Sequence, residues 1–129
     1  IIYFYIIYFK MLVHLPMSNV NLLHIFVQSM LLMYIGYTGS HSSDYAYLAL
    51  MAITLCIPII VPAPDFASKE KSNYIRLFHY LFLLPSLIYI SYAGYYENGV
   101  SNYVYFPMLV TGVIVFLYHI AKFIMRLRN

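Results

Sequence analysis

The chain has no tryptophan, one cysteine and only four acidic side chains among its 129 residues. A single thiol, Cys56, rules out an internal disulfide and a cysteine metal cluster. Charged residues make up 9%, against about 25% in an average soluble domain. Charge this sparse cannot cover a water-facing surface, which argues against a soluble globular fold. The formal net charge of +3 is small and dispersed, so nucleic acid is not an expected partner. Also missing are a Gly-x-Ser-x-Gly elbow and a phosphate-binding loop, and nothing in their place indicates an enzyme.

What is present is apolar. Hydrophobic residues reach 64%, mean hydropathy is +0.79, and there are 16 tyrosines and 9 phenylalanines. A bilayer-spanning helix needs roughly 20 largely apolar residues. Four stretches approach or reach that length, at 20–37, 45–61, 74–93 and 103–125, and none contains an acidic side chain. They are continuously apolar and do not alternate with period two, so they read as helices and not as barrel strands. Helices also satisfy each backbone group within the segment, as lipid demands.

The intervening segments are short and carry breakers. Gly36 to Ser43 separates the first two runs, with Asp44 as the expected N-cap. Pro58, Pro62 and Pro64 close the second run, and Ser68 to Ser72 leads into the third with Ser72 as its cap. Gly94 and Asn98-Gly99 turn the chain toward the fourth, which Ser101 or Asn102 caps. Short loops make neighbouring helices antiparallel. The expectation is an all-α integral membrane protein, a four-helix up-down-up-down bundle over residues 17–129. Residues 1–16 read as an N-terminal extension or interfacial segment. Their nine-residue apolar run before Lys10 is too short to span, and Met17 or Met11 fits a biological start.

Charge then sets orientation. In a four-span arrangement the N-terminal segment, the second loop and the C-terminus share one side. Lys10, Lys69, Lys71, Arg76, Lys122, Arg126 and Arg128 all fall there, while the opposite loops hold Asp44 and Glu97. The positive-inside rule places both termini in the cytoplasm or its equivalent. Tyrosines at 37, 45, 47, 74, 95, 96, 103 and 105 cluster at the run ends as interfacial belts.

The stretch Asn21-Leu22-Leu23-His24-Ile25-Phe26-Val27, continuing to Leu31-Leu32-Met33-Tyr34-Ile35-Gly36, resembles small uncharacterised multi-span membrane proteins of nucleocytoplasmic large DNA viruses. Many of those read Val-Gly-Pro where this chain has Gln28-Ser29-Met30. The resemblance implies a viral membrane setting and no established activity, and it carries no site residues across.

Three histidines are the polar residues of interest. His24, His79 and His119 lie at roughly 6, 7.5 and 9 Å from the basic ends of their helices, at 1.5 Å rise per residue. Asn21, His24 and Gln28 form a polar stripe at i, i+3, i+7, Ser86 shares the face of His79, and Gly112 that of His119. Polar faces in a membrane turn inward. Three convergent imidazoles could bind a transition metal, hold haem with Gly112 making room for the porphyrin, or carry protons along a path for ions. The plainer reading is that each ring bonds a neighbouring helix or sits at the headgroup boundary. Ala49, Ala52 and Cys56 offer a small-residue face for close packing, and Pro85 is expected to kink the third helix. The sequence thus points to a structural or accessory membrane component whose partners are the lipid bilayer, a second copy or other membrane proteins. The alternative is a haem- or metal-binding bundle.

Overall fold

Every long apolar run becomes a helix. The computed structural model describes residues 1–13, 16–97 and 100–129, and among these it contains five helices and no strand. Helix α1 is Ile2–Val13. Helix α2 covers residues 17–38 as Met17–Leu23, a π-turn at His24–Gln28, and Ser29–Thr38. Helix α3 is Asp44–Ile60, α4 runs Lys71–Tyr96 with a π-turn at His79–Leu83, and α5 is Asn102–Arg128. The turn expected at Asn98-Gly99 and the side chain of Lys10 lie outside the described residues.

Three of these helices are long and apolar enough to cross a membrane: α2, α4 and α5. Helix α3 is apolar but has 17 residues, about 25 Å at 1.5 Å per residue. It is therefore the shortest of the four runs expected to span.

The helix ends show which local residues act as caps. Ser43, not Asp44, is the N-cap of α3, because its extended backbone lets its hydroxyl accept from Tyr45 N at 3.3 Å. Asp44 follows in the first turn, where its charge complements the helix dipole. Ser72 does not cap α4. The cap lies two residues earlier, at Glu70, and Asn73 does the holding instead. Its side chain accepts from Asp65 N at 2.8 Å and donates to the carbonyls of Asp65 and Ser68. Ser101 stands at the N-cap of α5 without a side-chain bond. Pro58 does not stop α3, which continues to Ile60. The free carbonyls beyond it are met by Tyr80, whose hydroxyl donates to Val61 O at 2.7 Å. Gly39, with φ +56°, makes the sharp reversal between α2 and α3 against the Tyr105 ring.

Packing proceeds in two antiparallel pairs. On α2 and α5, Gly36 meets Leu109, Gly112 meets Met33 and Ser29, and Asn21 meets His119, so residue numbers rise on one helix as they fall on the other. On α3 and α4, Tyr47 lies against Gly94 and Val61 against Tyr80 in the same opposed sense. Tyr47 also reaches Tyr105 of α5, hydroxyl to hydroxyl at 3.4 Å, which ties the two pairs together at the end where Glu97 lies. The core between them is Leu32, Ile35, Tyr47, Leu50, Leu87 and Ala93. The small-residue face expected to pack is turned the other way. Ala49 and Ala52 are exposed, and Ala46, Leu50, Thr54 and Ile57 are buried in their place.

The outside of the molecule is greasy. Phe26, Leu55, Phe82, Tyr89, Phe106 and Ile114 are all more than half exposed. The buried hydroxyls of Ser29, Thr54 and Ser91 each donate to a carbonyl four residues earlier on their own helix. Water is therefore not needed to satisfy them.

Candidate functional site

A cavity of about 640 Å³ opens at the basic end of the helices, where the N-terminal halves of α2 and α4 meet the C-terminal ends of α3 and α5. His24, His79 and His119 all line it, as does Asn21. The three histidines expected to share a depth do share a cavity. Gln28, the third member of the stripe, is buried one turn deeper.

The rings are placed by local bonds. His24 Nδ1 lies 2.8 Å from Val20 O, and His79 Nδ1 lies 2.7 Å from Ile75 O. A carbonyl can only accept, so in both rings Nδ1 carries the proton and donates, leaving Nε2 as the unengaged nitrogen. His119 donates from Nδ1 to Asn21 Oδ1 at 3.0 Å, joining α5 to α2. Its ring stacks on that of His24 with centroids 4.2 Å apart and planes 19° from parallel. His79 stands edge-on to Phe78 of its own helix.

This arrangement lends no support to the metal and haem readings. Among the described residues, no group of three His, Cys, Asp or Glu side chains is placed to hold a metal ion. Axial ligation of haem needs two imidazoles pointing their nitrogens at one iron from opposite sides. His24 and His119 instead lie face to face at van der Waals distance. The gap expected at Gly112 is filled, since a Cβ there would meet Met33 Cγ at 2.8 Å and Ser29 O at 3.0 Å. The glycine admits a neighbouring helix and not a porphyrin. Deeper in the core, the described hydroxyls of Ser29, Thr54 and Ser91 turn back onto carbonyls of their own helices.

The composition of the wall is more informative. Arg76, Lys122 and Arg126 line the cavity beside the histidines, and no carboxylate is among its described lining residues. Lys122 Nζ sits 5.7 Å from the centre of the Tyr118 ring, within reach of a cation–π attraction. Most of the remaining wall is apolar, with Val20, Ile60, Val61, Pro62 and Ile75, and Ser72 adds a hydroxyl. One donor is left unmatched. Asn21 is 3% exposed, its Oδ1 is engaged by His119, and its Nδ2 is buried without a partner among the described residues.

Sequence reasoning found the histidines but treated the arginines and lysine only as markers of orientation. The spacing held the signal. Ser72, Arg76 and His79 follow i, i+4, i+7 on α4, and His119, Lys122 and Arg126 follow i, i+3, i+7 on α5. Each cation therefore shares a face with a histidine.

No protein-family model, curated protein or solved structure matches the chain.

Proposed function

We propose that this chain is a multi-pass integral membrane protein, a four-helix up-down-up-down bundle with both termini on the cytoplasmic side, acting as a non-enzymatic structural or accessory component of its membrane. The observation that carries the reading is the distribution of surface. Large apolar side chains cover the flanks of α2 to α5, while Arg76, Lys122 and Arg126 gather at one end and Asp44 and Glu97 fall at the other. Lipid accepts such flanks, and the basic end then sits where the positive-inside rule puts it. Helix α3, at 17 residues, falls at the short end of the spanning range and is accommodated by local thinning or by its protected C-terminal carbonyls. The partners of this reading are the bilayer and other membrane proteins, a second copy included. The viral setting rests on the resemblance of residues 21–36 alone.

Cysteine labelling tests it. In a Cys56→Ala background, Lys69→Cys and Arg128→Cys should react with an impermeant maleimide from one compartment, and Glu97→Cys from the other. Labelling of Lys69→Cys and Arg128→Cys from opposite compartments would sink the arrangement.

A further inference from the structure

We infer that the cavity at the basic end is a binding site for the phosphate headgroup of an anionic lipid. The inference rests on the membrane reading above, which sets this end at the headgroup layer. Three observations lead to it.

The first is charge without a counter-charge. Arg76, Lys122 and Arg126 come from two helices to one cavity whose described lining includes no carboxylate. Arg76 and Lys122 are half-buried and Arg126 is exposed at the rim, so an anion entering the cavity meets cations on two of its walls with no carboxylate among the described lining to compete for them. Guanidinium groups also match phosphate oxygens in geometry, with parallel N–H donors.

The second is the unmatched donor. Asn21 borders the cavity, is almost wholly buried, and has an Nδ2 without a partner among the described residues. Buried donors are nearly always satisfied. The atom itself is closed to solvent, so a phosphate or glycerol oxygen in the cavity becomes its acceptor once the side chains at the cavity edge move aside.

The third is the other half of the wall. Val20, Ile60, Val61, Ile75 and the Tyr118 ring give nothing to a small inorganic ion. They do suit the glycerol and first acyl carbons of a lipid whose headgroup faces the cations. A volume of about 640 Å³ falls in the range of small-molecule sites, roughly 300–1,000 Å³. Basic pockets between transmembrane helices on the cytoplasmic side are known to take acidic headgroups.

The test uses the full chain in dodecylmaltoside, titrated calorimetrically with short-chain phosphatidic acid, with short-chain phosphatidylcholine and with inorganic phosphate. Phosphatidic acid should bind at least about tenfold more tightly than either of the others. Each cation near an anionic headgroup contributes about fivefold, so R76Q/K122Q/R126Q should weaken binding by about a hundredfold. K69Q/K71Q/R128Q removes the same charge outside the cavity and should change it by less than about threefold. Both variants are checked for native helicity and a single elution peak, and Arg76→Gln alone, with about a fivefold loss, serves if the triple variant does not fold. Equal losses in the two triple variants would overturn the site, as would equal binding of phosphatidylcholine. Inorganic phosphate binding as tightly as phosphatidic acid would overturn its assignment to a lipid. Binding in micelles does not depend on which compartment the basic end faces, so failure here is distinct from failure of the labelling experiment.

Discussion

The close approach of α2 and α5 makes a prediction whose sign is decisive. In an isolated helix, Gly→Ala is favourable by about 1 kcal/mol, because alanine loses less backbone freedom. At Gly36 the added Cβ would overlap Leu109 N, Cα and Cβ. Two of those atoms are backbone and cannot rotate away, so the helices themselves must part. At Gly112 the nearest backbone atom is Met33 N at 2.9 Å, and ordinary contact begins at 3.4 Å, so the gap needed there is about half an ångström. A gap of roughly 0.5–1 Å forfeits about a quarter to a half of each dispersion well. For one leucine-sized neighbour, with about 50 contacts of about 0.15 kcal/mol, a quarter lost is about 2 kcal/mol. In a membrane such contacts are the main force between helices, since lipid solvates apolar side chains as well as a neighbouring helix does. Gly36→Ala should therefore destabilise by about 1–2 kcal/mol net, and Gly112→Ala by about 1 kcal/mol, after the propensity gain is subtracted. Unfolding in mixed dodecylmaltoside and dodecyl sulfate micelles, followed by circular dichroism, reads both. Ala52→Val, on the exposed face of α3, is the control and should stay within about 0.5 kcal/mol of wild type. If Gly36→Ala stabilised the protein by the propensity difference, α2 and α5 could not be this close.

Two further substitutions probe the polar ties. Tyr105→Phe removes the acceptor of buried Val100 N as well as the partner of Tyr47. It should cost about 1–3 kcal/mol, and Tyr47→Phe, which strands no backbone donor, about 1 kcal/mol. Equal losses for the two in the same unfolding assay would contradict the assigned partners. Asn73→Ala deletes three hydrogen bonds to the 65–68 loop, each about 1 kcal/mol, so tryptic cleavage after Lys69 or Lys71 should speed up at least about tenfold. An unchanged cleavage rate would mean that something else holds the loop.

The four long helices were legible because long, continuously apolar runs differ in composition from everything else in the chain. Runs at 20–37, 45–61, 74–93 and 103–125 became helices with ends shifted by a few residues. Apolar length decides a span almost alone, whereas a helix end is decided by individual side-chain bonds such as those of Ser43 and Asn73. Which face packs was less legible. Ala49 and Ala52 suited a close interface on the rule that small residues draw membrane helices together. The close approaches occur instead at Gly36, Gly94 and Gly112, where the absence of a Cβ lets backbone or a tyrosine ring lie directly against the helix. Composition does not say which of several small-residue faces finds a partner.

The two π-turns were invisible for a different reason, and they bear on how the cavity is built. Each begins at a histidine of the cavity, His24 on α2 and His79 on α4. A period of 3.6 applied straight through such a turn misplaces everything beyond it, because the extra residue rotates the two halves of the helix by about 100° relative to each other. The shift from i−4 to i−5 pairing also leaves carbonyls short of N–H partners, which lipid does not tolerate. On α2, Ser29 closes the turn with a hydroxyl that donates to Ile25 O at 2.6 Å. On α4, Pro85 follows directly after Leu84 and contributes no N–H, so the break in pairing falls where proline would in any case have opened one. The register change thus lies directly before Pro85, where the sequence led to the expectation of a kink. Each histidine in turn donates from Nδ1 to the carbonyl four residues before it, Val20 or Ile75. Those carbonyls belong to the turn just outside each register change. The same histidines therefore line the cavity wall and tie down the helix where it enters the π-turn.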